Sequence, residues 1–190
     1  MENKGIICIE TECDITIEKN KLPLNSEHLL QFLSKVYDIP YIYRKVATIE
    51  ELKYYFKKFK KKEYSENYHF FYFSFHGESN QICFESGDSL KLSELSEMAK
   101  GVFDGKFVHF GSCRTMYCSA TKIEEFRKSA SAKMVSGFTK KVDADLCAIH
   151  DLALMAETIS YKQVPTIINH MDNLYGGLQE KLGFRYSIPE

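Results

Sequence analysis

No apolar run in this 190-residue chain approaches the roughly 20 residues that a membrane helix needs. The opening stretch MENKGIICIE places a short strand-like run where a secretory signal requires a longer greasy core followed by small residues. An excess of charge is missing too. The 25 basic and 26 acidic residues leave a formal net charge of -1, so no global field draws the molecule to nucleic acid or an anionic membrane. The six cysteines (Cys8, Cys13, Cys83, Cys113, Cys118, Cys147) contain no Cys-x-x-Cys pair and no histidine cluster accompanies them, so no metal site is expected. Their scatter predicts thiols instead of a disulfide framework. A Gly-x-x-x-x-Gly-Lys phosphate loop, internal repeats and low-complexity linkers are all missing. What remains is the expectation of one domain over residues 1–190, cytoplasmic, without cofactor, recognising its partner through local contacts.

What is present is aromatic and alternating. Apolar residues make up 44% and aromatics 14% of the chain, enough for a sizeable core. GIICIE (5–10) reads as a strand, and NSEHLLQFLSKVY (25–37) spaces Leu29, Leu30, Phe32, Leu33 and Val36 as a helix capped by Asn25 or Ser26. PYIYRKV (40–46) is strand-like. Thr48 and Glu51 form a capping box for a second helix that turns Leu52, Tyr55, Phe56 and Phe59 inward. Further strands are expected at 69–75, 106–110 and AKMVSGF, with a hairpin turning at Ser86-Gly87-Asp88 and helices at LSELSEMAK, SATKIEEFRKSA and DADLCAIHDLALMAETISY. TIINHMDNLYGGLQEKL reads as helix at least to Gly176. Short, nearly continuous apolar strands alternating with helices predict an α/β fold, a mostly parallel sheet of about six strands sandwiched by helices. Such sheets bind and react at the carboxyl ends of their strands.

Two of the strands finish beside reactive side chains. HFFYFSFHGE (69–78) ends at His76-Gly77, and KFVHFGSC (106–113) ends at Gly111-Ser112-Cys113. As neighbouring parallel strands they would bring His76 and Cys113 to one rim, a thiol nucleophile and the imidazole that activates it. Gly77 has no Cβ, so its N–H can approach a substrate carbonyl and, with the N–H of Cys113, form an oxyanion hole. The plainer alternative is turn chemistry, with His76 bonded to backbone and Cys113 a small buried residue.

The order of motifs adds a resemblance. YFSFHG (72–77), LKLSEL (90–95), FVHFGSC (107–113) and SGFTKKVDAD (136–145) resemble the HFxxHG, LxLxxL, LVxLSAC and GxxxxVxD segments of the caspase-like cysteine peptidases, in the style of the bacterial CHAT branch. The likeness runs over most of residues 5–160. It implies a caspase-like three-layer sandwich, Cys113 as nucleophile, His76 as base and the N–H groups of Gly77 and Cys113 as oxyanion hole. It also implies a protein or peptide substrate, an activating small molecule or protein, and an effector role in stress, cell death or phage (antiviral) defence. FGSCRT departs from the Gln-Ala-Cys-[Arg/Gln/Gly]-Gly of true caspases, which speaks against cleavage after aspartate.

Specificity in such enzymes is set by a charged pocket beside the dyad. Glu10 and Asp14, after the first strand, and Asp143 and Asp145, after the strand ending at Phe138, are the acidic candidates, and together they would select a basic P1 residue. Asp143 or Asp145 is equally a helix cap. His109 reads as a satisfied core histidine, and His150 and His170 as helical residues without ligand spacing. Arg114 follows the nucleophile and pairs either with an anionic substrate group or with a surface carboxylate. The lysines of KKFKKKEY suit a helix end and solvent. A second class of function stays open: a ligand-sensing or scaffolding module that binds a nucleotide-like or peptide signal in the same strand-end crevice and cleaves nothing.

Overall fold

A computed structural model describes residues 5–11 and 25–189. Strand β1 (Gly5–Thr11) is followed by helix α1 (Glu27–Tyr37), β2 (Tyr41–Val46), α2 (Ile49–Phe59) and the single turn α3 (Lys62–Ser65). Next come β3 (Tyr68–Ser74), the short strands β4 (His76–Glu78), β5 (Gln81–Cys83) and β6 (Ser89–Lys91), then α4 (Leu92–Met98) and β7 (Phe107–Phe110). The chain closes with α5 (Ala120–Ser129), β8 (Met134–Phe138), α6 (Ala144–Ser160), α7 (Val164–Leu182) and β9 (Phe184–Ser187).

Six strands form one sheet in the order β2-β1-β3-β7-β8-β9. All pairings in it are parallel except β8 with β9. A second, antiparallel sheet of β4, β5 and β6 projects from the end of β3. The period-2 alternation of a strand explains why the central strands read as unbroken apolar runs: both faces are covered. Ile7, Ile9, Phe71, Phe73, Val108 and Phe110 pack with Leu52, Phe56 and Phe59 of α2, Leu95 of α4 and Phe126 of α5. Their neighbours Ile6, Cys8, Phe70, Tyr72 and Phe107 turn the other way, onto Leu30 and Leu33 of α1, Leu154 and Met155 of α6 and Ile167 and Met171 of α7. The result is the expected three-layer α/β sandwich.

Local signals explain most element boundaries. Thr48 Oγ1 accepts the N–H of Glu51 at 3.3 Å, and the Glu51 carboxylate accepts the N–H of Thr48 at 3.2 Å, the capping box expected from their spacing. Asp38 and Gly183 end α1 and α7 in the left-handed conformation. Helix α7 continues through Gly176 to Leu182, and β9, which the sequence pattern does not announce, follows it. On α1 only Leu30 and Leu33 are fully buried, while Phe32 and Val36 are 54% and 56% exposed. Among the described residues no helix is long and apolar enough to cross a membrane.

The split on α1 is testable by urea denaturation. Leu33→Ala should cost about 2–5 kcal/mol through the cavity it leaves, whereas Phe32→Ser should stay within about 0.5 kcal/mol. Equal losses would place α1 in a different rotation on the sheet.

Candidate active site

The pairing of β3 with β7 sets the site. Their parallel register matches Tyr72 with His109 and Phe73 with Phe110, and the N–H of Gly111 extends the ladder to Phe73 O at 2.9 Å. Both strands therefore end on the same rim, and His76 and Cys113 line the same cavity. They also share a second, more polar cleft with Gly77, Glu78, Arg114 and Lys141. His76 is exposed and Cys113 half-buried. The Cys113 sulfur accepts the N–H of Val142 at 3.4 Å. The His76 side chain makes no hydrogen bond to another described residue.

The loop carrying Cys113 is tied down from several sides. Arg114 N–H reaches Lys140 O at 3.0 Å and Met116 N–H reaches Phe138 O at 3.0 Å, which anchors the loop to the exit of β8. Thr115 Oγ1 pairs with Ser112 Oγ at 2.6 Å and donates to Gln81 O of β5 at 3.2 Å. The guanidinium of Arg185, on β9, donates to Cys118 O at 2.7 Å. Arg114 takes a positive φ of 56° and its guanidinium lies over the Tyr117 ring, 5.1 Å from the centroid. Gly77 fits beneath this loop for a steric reason. A Cβ there would collide with Thr115 Oγ1 and the carbonyl oxygen of Cys113.

Behind the rim lies a polar cluster that sequence spacing did not reveal. The Asp151 carboxylate, fully buried on α6, accepts Tyr72 Oη–H at 2.7 Å and His109 Nε2–H at 2.8 Å. Cys147 Sγ–H and His150 Nδ1 approach it at 3.3 and 3.4 Å. His109 Nδ1 pairs with Ser136 Oγ at 2.8 Å, so the histidine expected to be a satisfied core residue is one, bridging β8 to α6. His150 is corrected. Expected to lack ligand spacing, it does lie beside His109: ligand atoms of His109, His150 and Asp151 are within 4.8 Å of one another. That set has metal-ligand chemistry, yet the 2.8 Å His109–Asp151 separation is that of a charge-assisted hydrogen bond, and Tyr72 and Ser136 complete a hydrogen-bonded network. One sequence signal does mark the cluster: Asp151 interrupts the otherwise apolar face of LCAIHDLALM, and a lone carboxylate there demands buried partners.

The electrostatics follow from burial. Burial disfavours the Asp151 anion, but His109 beside it and the hydrogen bonds from His109 and His150 prevail and hold its carboxyl well below the usual range. Burial lowers the pKa of His150 despite Asp151, which keeps the ring neutral. Its Nε2 has no hydrogen-bond partner among the described residues, as suits the unprotonated nitrogen of an Nδ1–H tautomer. Burial, reinforced by Asp151, pushes the Cys147 thiol far up, so this second cysteine of the cavity stays protonated.

The three described acidic candidates are placed apart from the cavity lining. Glu10 is buried, accepts the N–H of Ser26 at 3.0 Å, and has its pKa raised by burial. Asp143 Oδ1 accepts the N–H groups of Asp145 and Leu146 at 3.1 and 3.2 Å and so caps α6. Asp145 is exposed in the first turn of that helix. None of these three lines the cavity, and Asp14 lies outside the described residues.

The six-stranded, mostly parallel sheet between helices is a caspase-like fold. The crystal structure of the Drosophila initiator caspase Dronc superimposes with a TM-score of 0.62 at 11% identity, covering 98% of this chain and 80% of that one. The chain belongs to the family described as "Family of unknown function (DUF6642)", whose model matches residues 3–187. No curated protein matches it in sequence.

Two outcomes follow from this geometry. Gly77→Ala should lower stability by about 1–3 kcal/mol in urea melts, because the added methyl must displace the Cys113 loop; an unchanged midpoint would show that β4 does not press on it. The lowered pKa values fix the sign of the pH dependence. The stability tied to neutral His150 is present above its unfolded pKa of about 6.5 and is lost as pH falls below it; the share tied to Asp151 follows below about pH 4. The His150 share should therefore decline from about pH 7.5 to 5, against an opposite share from Glu10, whose pKa burial raises, so His150→Gln should lower the urea midpoint's rise with pH over that range relative to the parent.

Proposed function

We propose that this protein is a cysteine endopeptidase of the caspase-like type, nearest in style to the CHAT branch. The carrying observation is that Cys113 and His76 lie just past the ends of the adjacent parallel strands β7 and β3 and border one cavity. Cys113 transfers its proton to His76 and the sulfur attacks the peptide carbonyl, forming the S–C bond. The N–H groups of Gly77 and Cys113 receive the oxyanion. On collapse the C–N bond breaks and His76 hands the proton to the departing amine. Water, deprotonated by His76, then adds to the thioester; the S–C bond breaks, the acid leaves and His76 returns the proton to the Cys113 sulfur.

The resting arrangement calls for an activating step. Cys113 Sγ is engaged by Val142 N–H, and His76 is not hydrogen-bonded to it. A small molecule or protein that shifts the loop 139–143 or β4 would bring the pair together. Five described cysteines are free thiols, in keeping with work in the cytoplasm, and the near-zero net charge suits a protein or peptide substrate. An effector role in stress, cell death or antiviral defence is the setting in which such a dormant peptidase serves. The competing reading, a ligand-sensing module that cleaves nothing, rests on the cavity alone.

A cysteine electrophile separates the two. With cell extract as a source of activator, it should modify Cys113 ahead of the other thiols, and His76→Ala should slow that activated modification by about 10²-fold or more. Cleavage of a pooled fluorogenic peptide set should vanish in Cys113→Ala. Uniform labelling of several thiols, with no peptide turned over, would favour the binding module.

A further inference from the structure

The two cavities that meet at His76 and Cys113 differ in chemistry. One is polar and charged, bordered by Glu78, Arg114 and Lys141. The other, of about 300 Å³, is walled by Leu29, Phe75, Val142, Ala144 and Ala148, with Tyr72 and the Cys147 thiol also lining it. Among the described residues its lining includes no carboxylate, guanidinium or ammonium group. Three described acids near this end of the sheet are already committed. Glu10 holds the Ser26 N–H, Asp143 caps α6, and Asp151, behind Tyr72 and Cys147, is ringed by donors.

Resting on the peptidase reading above, we infer that this apolar cavity receives the side chain of the residue whose carbonyl is attacked, and that the enzyme cleaves after an uncharged apolar residue of leucine to phenylalanine size. Gly111, Ser112 and Cys113 themselves form part of its wall, so an acyl group on the Cys113 sulfur hangs its own side chain over it. A lysine or arginine placed there loses its water and finds no counter-ion among the described residues of the lining. An aspartate meets only neutral hydroxyls and amides, with the imidazoles of His28 and His76 at the side. Leucine, methionine or phenylalanine matches the aliphatic and aromatic walls and exchanges water for packing.

The test uses N-acetyl tripeptide acyloxymethyl ketones that differ only at P1, namely Leu, Phe, Arg, Lys and Asp, with intact-mass and peptide-mapping readout of the Cys113 adduct, with and without cell extract. The Leu and Phe probes should alkylate Cys113 at least about tenfold faster than the charged ones. Ala148→Asp, which places a carboxylate in the cavity wall, should shift the ranking toward Arg while the protein keeps its near-ultraviolet circular dichroism. Faster reaction of the Arg, Lys or Asp probe in the unmodified protein overturns the apolar pocket and leaves the peptidase standing. Reaction of every probe at Cys113 no faster than at Cys118 removes the peptidase reading and the pocket's role with it.

Discussion

A single buried carboxylate holds the site together. Asp151 takes hydrogen bonds from Tyr72 on β3 and His109 on β7, the two strands whose ends carry His76 and Cys113. Because Asp151 sits on α6, the same interaction fixes the helix whose first turns supply Ala144, Cys147 and Ala148 to the cavity. Removing one partner of such a buried, charge-assisted set leaves the rest unpaired in a medium that solvates them poorly, at a cost of about 3–5 kcal/mol. Gly111 records how tightly the cluster presses on the rim: a Cβ there would lie 2.6 Å from Tyr72 Oη and 2.7 Å from Asp151 Oδ2. Gly111, two residues before Cys113, is thus required by the polar cluster behind it, as much as by any turn.

From that anchor the reactive loop is built outward by backbone bonds. Residues 111–118 borrow β3, β5, β8 and β9 as supports, through Phe73 O, Gln81 O, Phe138 O and Arg185 respectively. Ser112, Thr115 and Met116 of this loop are buried, while Arg114 and Tyr117 remain outside. A loop held by carbonyls and amides keeps its shape when exposed side chains vary. Arg114, immediately after Cys113, takes a left-handed conformation and borders the polar cleft but not the apolar cavity.

Much of the architecture was legible in the residues. Strand and helix alternation, the Thr48–Glu51 capping box and the glycine-ended strands all depend on interactions within a few positions or on simple periodicity, so pattern alone carries them. Strand β9 escaped because FRYS is four residues long, sits at a sheet edge and is only half-buried, so no face imposes an alternation on it. The Asp151 cluster escaped because its bonds span 79 and 42 residues, distances at which spacing is silent. The acidic pocket was expected from rim position, which fixes where a Cα lies and not where its carboxylate points. Glu10 turns to the N–H of Ser26 and Asp143 to its own helix, since unpaired N–H groups next to a carboxylate are the cheapest partners available.

The same economy of partners explains the state of the dyad. A thiol half out of solvent that accepts one backbone N–H is already partly satisfied, and His76, on the exposed strand β4, has no described partner that would hold it against the sulfur. Val142 precedes the Asp143 cap of α6, so the segment that engages Cys113 is tied to the helix on which Asp151 sits. Any ligand that prefers a shifted position of this segment frees the sulfur and reshapes the cavity wall together, because Val142 belongs to both. Activation and substrate recognition would then be one conformational equilibrium, biased at residues 140–143 and read out at Cys113.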